Sequence, residues 1–246
     1  MIYKKDFSLW FWNYEQERVF STDLLSKPEA VSPEAVMPYQ FKQIEKKNHI
    51  PKRAFDVFIG SVTFLFYAVL FPVIALGIKL SSCGPIIFKQ KRTGKNGHVF
   101  ICYKFRTMHV LKSNHNDRKP VVTVIGDSRI FAFGHFLRKT NLDELPQLLN
   151  VLKGDMSLVG PRPYTIEECA YWNGIFEDHY FRYLLKPGIT GFAQAHGYRG
   201  GTLDEGLMRK RLDCDLTYIG NSTLTLDLRI IFKTLVRMVI RDTNGH

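Results

Sequence analysis

The stretch VFIGSVTFLFYAVLFPVIALGI, from Val57 to Ile78, carries no charged side chain over 22 residues. No other feature limits the possible folds so strongly. As a helix it would be roughly 33 Å long, enough to cross a hydrocarbon layer about 30 Å thick. Two details shape how it would sit there. Pro72 lies within the run, and an internal proline removes one helical hydrogen bond and crowds the carbonyl four residues earlier. Both flanks are basic: Lys46, Lys47, Lys52 and Arg53 precede the run, and Lys79, Lys89, Lys91 and Arg92 follow it. Positive residues favour the cytoplasmic side of a membrane. Both ends are therefore expected on that side. A helix over 51–82, broken at Pro72, that enters one leaflet and turns back satisfies this. A straight span and the buried helix of a soluble protein remain as alternatives.

The run divides the chain into three. Residues 1–50 read as a polar extension with an aromatic cluster, FSLWFWNY, and a proline-punctuated linker, SKPEAVSPEAVMP. Residues 51–82 are the membrane segment, and 83–246 a cytoplasmic domain. The formal charge of +11 suits a polyanionic partner, whether nucleic acid, anionic lipid or a phosphorylated substrate. A nucleic-acid binder has no use for the apolar run, so no nucleic-acid partner is expected. The four cysteines lack CxxC spacing and the eight histidines form no HExxH motif, which argues against zinc and for reduced thiols.

Within 83–246 an α+β, mostly helical arrangement is expected. PIIFKQKRTGKNGHVFICYKFRTM, Pro85 to Met108, reads as a β-hairpin, because Asn96-Gly97 tolerates the positive φ that tight hairpin turns need. Period-two alternation puts Phe100, Cys102, Lys104 and Arg106 on one face and Val99, Ile101, Tyr103 and Phe105 on the other. The basic residues of this hairpin, Lys89 and Arg92 among them, read either as a solvated face or as phosphate contacts. His109 to Arg129 reads as a polar loop. From Leu224 to Arg241, Arg229, Lys233, Arg237 and Arg241 recur at four-residue steps between apolar positions, the pattern of an interfacial amphipathic helix.

The chemistry points to TNLDELPQLLN, Thr140 to Asn150. Leu145, Leu148, Leu149 and Leu152 follow helical spacing, so a helix is expected from about Asp143 to Lys153, ending at Gly154. Pro146 fits only in the first turn. Asp143 and Glu144 then sit at a helix start. Two carboxylates about 5 Å apart repel by roughly 3 kcal/mol at an effective dielectric near 20, more than a helix end offsets. A cation is wanted; Arg138, Lys139 and a divalent metal such as Mg²⁺ are the candidates. A plain capping acid is the alternative. Gly160 to Pro163, GPRP, presents Arg162 from a segment whose prolines restrict the backbone. Lys186 to Thr202 adds a second glycine-rich region.

The segments KRAFDVFIG, GPIIFKQKRTGKNGHVFICYKFRTM, LRKTNLDELPQLLNVLKGDMSLVGPRP, LLKPGITGFAQAHGYRG and DLTYIGNSTLTLDLRIIFKTL, in this order, resemble the bacterial sugar transferases. These are monotopic polyprenyl-phosphate sugar-1-phosphate transferases. The resemblance covers roughly Pro51 to Arg241. It implies transfer of sugar-1-phosphate from a UDP-sugar to undecaprenyl phosphate, with release of UMP, as the first membrane step of exopolysaccharide, O-antigen or glycoconjugate assembly. It implies Asp143 as nucleophile, forming a phosphosugar intermediate, with Glu144 assisting and the pair holding Mg²⁺. Arg138, Arg162, Lys89 and Arg92 become phosphate contacts, and Pro161, Pro163, Gln194 and Arg199 nucleotide or sugar contacts. Pro72 becomes the membrane break. The implied location is the inner membrane, with the site on the cytoplasmic face of an anionic surface. Downstream glycosyltransferases and a second copy of the chain are further partners in keeping with it. A non-catalytic basic scaffold docked on the same membrane is the competing reading. The chain departs from the family's usual pattern at Ala132, His135, Phe192 and His196.

Overall fold

The computed structural model describes residues 50–110 and 126–240. The expected N-terminal extension, and most of the expected polar loop after His109, lie outside them. The first element, α1 (Ile50–Ser81), is one helix of 32 residues. It is helical through Pro72, so the expected break is not an interruption of the helix. A proline forfeits one hydrogen bond and crowds the carbonyl of Ala68, a cost of about 3 kcal/mol that the flanking turns and their packing can absorb.

One side of α1 is buried against the rest of the protein through Asp56, Gly60, Tyr67, Ile74, Ala75 and Ile78. The other side is a bare apolar stripe: Phe58, Val62, Leu65, Phe66, Val69, Val73, Leu76 and Leu80 are all exposed. The helix is fastened at both ends. Near its start Arg53 donates to the carbonyls of Val151 (2.5 Å) and Leu152 (2.7 Å). Asp56 accepts from Ser157 Oγ and the Leu158 amide. Lys52 reaches the Val159 carbonyl (3.0 Å) and Asp227 (2.6 Å). Just past its end, Arg106 donates to the carbonyl of Ser82 (2.7 Å). At mid-length Tyr67 and Phe71 pack on Phe105.

Strands β1 (Ile87–Thr93) and β2 (Val99–Phe105) form the expected antiparallel hairpin. Its loop spans Gly94 to His98 and places Asn96 (φ 55°) and Gly97 (φ 75°) in the left-handed region. The sequence reading of this turn holds because only residues tolerant of positive φ fit there. Phe100 and Cys102 face inward as the alternation requires.

Helix α2 (Ala132–Lys139) leads into the acid pair. The segment expected to be α-helical from Asp143 opens instead as a 3₁₀ helix, Leu142–Gln147, and becomes α-helical as α3 (Leu148–Lys153). The tighter winding starts at Asn141, held in the left-handed conformation (φ 57°), and carries Pro146 within it. Gly154 (φ 92°) ends α3 as expected. Asn150 is fully buried and ties α3 to β2. It accepts from the Tyr103 amide (3.1 Å) and donates to the Ile101 carbonyl (2.7 Å).

Two short parallel strands, β3 (Ser157–Val159) and β4 (Gly188–Thr190), bring the two glycine-rich regions together. The contact is too close for side chains. A Cβ on Gly160 would collide with the Lys186 carbonyl, and one on Gly188 with the Gly160 amide. Between these strands run α4 (Ile166–Asn173), whose Thr165 and Glu168 form a reciprocal cap, and a 3₁₀ helix, Glu177–Leu184. After β4 come α5 (Phe192–Ala195), α6 (Glu205–Asn221) and α7 (Leu224–Ile240). In the last, Leu224, Leu228, Phe232 and Leu235 are exposed, while Ile230 and Asp227 are buried; Arg241, the end of the expected basic series, lies outside the described residues.

Candidate active site

Asp143 and Glu144 occupy the first turn of the 3₁₀ helix, half-buried against the inward face of β2. Their surroundings are unequal. Glu144 Oε1 accepts from Lys104 Nζ at 2.5 Å and lies 3.3 Å from Arg162 Nη1. Among the described residues the Asp143 carboxylate accepts no hydrogen bond; its cations act on it through space. Burial pushes the Asp143 carboxyl up to about 6, and the Glu144 charge pushes the same way against the pull of Lys104, Arg138 and Arg162. Burial also raises Glu144, but Lys104 and Arg162 outweigh it and hold that carboxyl well below the usual range. A pair whose environments drive its members apart in this way separates into two roles. Glu144 is a permanent anion that holds two cations in place. Asp143 has raised basicity and no hydrogen bond among the described residues, which makes it the better suited of the two to act as a nucleophile.

The cation the pair requires is thus chiefly Lys104, which was not among the expected site residues. The signal was present: Lys104 shares a strand face with Phe100 and Cys102, and a lysine on an inward face calls for a buried partner. Arg138 acts on Asp143 through space while its Nε donates to Thr107 Oγ1 at 2.9 Å. Lys139 is exposed.

Arg162 is set by its own backbone. The four successive carbonyls of Pro161, Arg162, Pro163 and Tyr164 each accept a hydrogen bond. The donors are Gly188 N (3.0 Å), Arg182 Nη2 (2.9 Å), Arg92 Nη1 (2.5 Å) and Thr93 N (3.0 Å). The flanking prolines have no N–H to satisfy, so this irregular stretch can be buried with its polar groups matched. Arg92 therefore grips the loop; its guanidinium also reaches Gln90 (2.6 Å) and lies 3.8 Å from Glu168. Arg199 enters from the second glycine-rich region, its Nε 3.3 Å from the Gln194 carbonyl, within electrostatic reach of Glu144 and Arg162. Gln194 is buried and donates to the Ile189 carbonyl (3.1 Å), bracing the turn beneath Arg199.

Lys89 is not brought to the pair. It stands opposite Tyr103, on the other face of the hairpin from Lys104, and is exposed. Pro72 lies within α1 and takes no part in this arrangement. Among the described residues no cluster of three or more His, Cys, Asp or Glu side chains is placed to hold a metal. The pair supplies two carboxylates only.

A sequence profile described as "Bacterial sugar transferase" matches residues 47–241. The chain belongs to that family. Among curated relatives, UDP-glucose:undecaprenyl-phosphate glucose-1-phosphate transferase of Escherichia coli K12 is 38% identical over 220 residues, covering 89% of this chain and 47% of its own length. The protein of the same name from Caulobacter vibrioides is 42% identical over 193 residues, 78% of this chain and 70% of that one. Exopolysaccharide production protein PSS of Rhizobium leguminosarum bv. phaseoli is 44% identical over 194 residues, 77% of this chain and 96% of that one. The chain spans about half the length of the first of these relatives. Asp143, Glu144, Lys104, Arg138 and Arg162 all lie inside the region that matches the family profile.

Proposed function

We propose that the protein transfers a sugar-1-phosphate from a UDP-sugar to undecaprenyl phosphate in two steps at Asp143. The observation that carries this reading is the unequal pair: a carboxylate raised by burial, without a hydrogen bond among the described residues, next to one pinned by Lys104 and Arg162. In the first step an Asp143 oxygen attacks the phosphorus that bears the sugar. The bond from that phosphorus to the UMP oxygen breaks, and UMP leaves. In the second, an oxygen of undecaprenyl phosphate attacks the same phosphorus, the Asp143 ester breaks, and the product is a lipid diphosphate sugar. Phosphoryl transfer depends mainly on positioning and on positive charge around the equatorial oxygens. Arg138, Arg162, Arg199 and Lys104 are the groups available for that. The names of the relatives support a glucose-type donor.

The donor set fits a hard cation. Mg²⁺ favours oxygen ligands and commonly binds through one or two carboxylates together with substrate phosphates. An Asp143 oxygen and the second Glu144 oxygen, which accepts no hydrogen bond among the described residues, would hold it. Bound there, it would neutralise charge on the diphosphate.

The reading includes a monotopic arrangement at the cytoplasmic face of the inner membrane. A helix of 32 residues is about 48 Å long, well beyond one hydrocarbon layer. One globular unit grips it at Lys52–Asp56, at Tyr67–Phe71 and at Ser82. A spanning helix could not be held at both ends by a domain on one side. The exposed stripes of α1 and α7 are the surfaces that would sink into the lipid.

The decisive experiment uses donor labelled in the sugar phosphate. Incubated without acceptor, the protein should release UMP and retain label on Asp143; Asp143→Asn should do neither. Continued turnover with no label on that side chain would refute the covalent step.

A further inference from the structure

Behind the two loops that present Arg162 and Arg199 lies a buried group of charges outside the reaction described above. Asp215 and Arg211 sit one turn apart on α6, and Arg182 comes from the 3₁₀ helix Glu177–Leu184. All three are almost completely buried, at 2%, 3% and 4% exposure. Arg182 Nε donates to Asp215 Oδ2 at 2.8 Å. The same guanidinium donates from Nη2 to the carbonyl of Arg162 at 2.9 Å and stacks 4.1 Å from the centre of the Tyr164 ring. Arg211 donates from Nη2 to the carbonyl of Arg199 at 2.5 Å and from Nη1 to that of Gly200 at 2.7 Å.

We infer that Arg182, Asp215 and Arg211 form a positioning bracket, in which each arginine grips the backbone carbonyl of one site arginine and Asp215 anchors Arg182 by an ion pair while attracting Arg211 through space. This rests on the proposed role of Arg162 and Arg199 as phosphate contacts. Three considerations carry it. The grips are specific: the carbonyls held belong to Arg162, which lies 3.3 Å from Glu144, and to Arg199, which feels the Glu144 charge through space. The chemistry is costly for mere stability, since burying charges loses several kcal/mol of hydration per ion, and apolar side chains of similar volume commonly stabilise as well or better. The geometry is stiff, because a planar guanidinium with several fixed N–H donors sets direction as well as distance. Two cations against one anion also leave the cluster with positive charge behind both loops, which favours an anion in front of them.

The test is a set of paired substitutions in the full chain, reconstituted in detergent or nanodiscs. Arg182→Lys and Arg211→Lys keep the charge facing Asp215 but replace the fork by a single ammonium. Each is measured alone and with Arg162→Ala or Arg199→Ala, reading the Kd for UDP and the KM and kcat for UDP-glucose. A misaimed phosphate contact should weaken UDP binding on the order of tenfold. Arg182→Lys should lose its effect in the Arg162→Ala background and keep it with Arg199→Ala; Arg211→Lys should show the reverse. Equal losses in both backgrounds, or no loss, would overturn the inference, since a merely structural role has no such pairing. If the single variants do not fold, the triple Arg182→Met/Asp215→Leu/Arg211→Met removes all three buried charges together. It should weaken UDP binding in the wild-type background and leave Arg162→Ala/Arg199→Ala within twofold. If the wild type binds no UDP, the donor reading has failed. Inorganic pyrophosphate, which needs only the two guanidinium groups, then replaces it with the same expected pattern, and a wild type that binds neither overturns both readings.

Discussion

The raised basicity of Asp143 makes a quantitative prediction about pH. Its carboxyl is raised to about 6, first by burial and then by the Glu144 charge, and in the proposed first step it must be ionised to attack. The value of kcat/KM for a UDP-sugar should therefore rise with pH through about 6 and level off above 7. At pH 5 only about one molecule in eleven is ionised, so the rate should be roughly tenfold below the plateau. Lys104 exerts the largest attraction on that carboxylate. An opposite charge near a carboxyl typically lowers it by about one to three pH units, and solvent screening favours about one. Lys104→Met should thus move the limb from about 6 to about 7. The assay is UMP release at low donor concentration across pH 5 to 8.5, with folding monitored by circular dichroism at each pH. A wild-type profile flat over that range, or a limb that stays or falls in Lys104→Met, would refute the reasoning.

Three further outcomes are expected. Asp143→Asn should be inactive yet more stable at neutral pH. Because the folded-state value of Asp143 is raised, its contribution to stability is intact below about 4 and is lost as pH rises through 6. The variant should therefore gain roughly 2 kcal/mol at pH 7.5 and nothing near pH 4, read from thermal melts. Asn150→Ala strips three hydrogen bonds from a fully buried site and leaves the Tyr103 amide and Ile101 carbonyl without partners. It should cost roughly 2–4 kcal/mol in denaturant titration and lower kcat through Lys104, while a surface change such as Lys153→Ala should leave kcat alone. Phe66→Glu with Val69→Glu, at positions 70% and 75% exposed on the α1 stripe, should weaken membrane retention without unfolding the protein in detergent. In the same vesicles Cys83 and an introduced Ile50→Cys should both label from the cytoplasmic side; labelling from opposite sides would refute the monotopic arrangement.

Several elements were legible along the chain because they depend on neighbours a few residues away. The apolar run, the hairpin at Asn96-Gly97, the stop at Gly154 and the amphipathic pattern of α7 follow from local sterics and periodicity. The acid pair ahead of Pro146 and Arg162 between Pro161 and Pro163 were visible in the same way, as motifs. What the tertiary structure decided is which charges meet. Lys104 reaches Glu144 across 40 positions, and Lys52 reaches Asp227 across 175. Lys89 and Arg92 looked alike in sequence, yet the pleat turns one to solvent and the other onto the Pro163 carbonyl. Packing likewise wound the start of the acid-bearing helix as 3₁₀ and carried α1 through Pro72 as one helix. Local order is written in side-chain size and backbone freedom, which each residue carries with it. Charge pairing acts through space and across a low dielectric, so it exists only once the chain has closed on itself and excluded water.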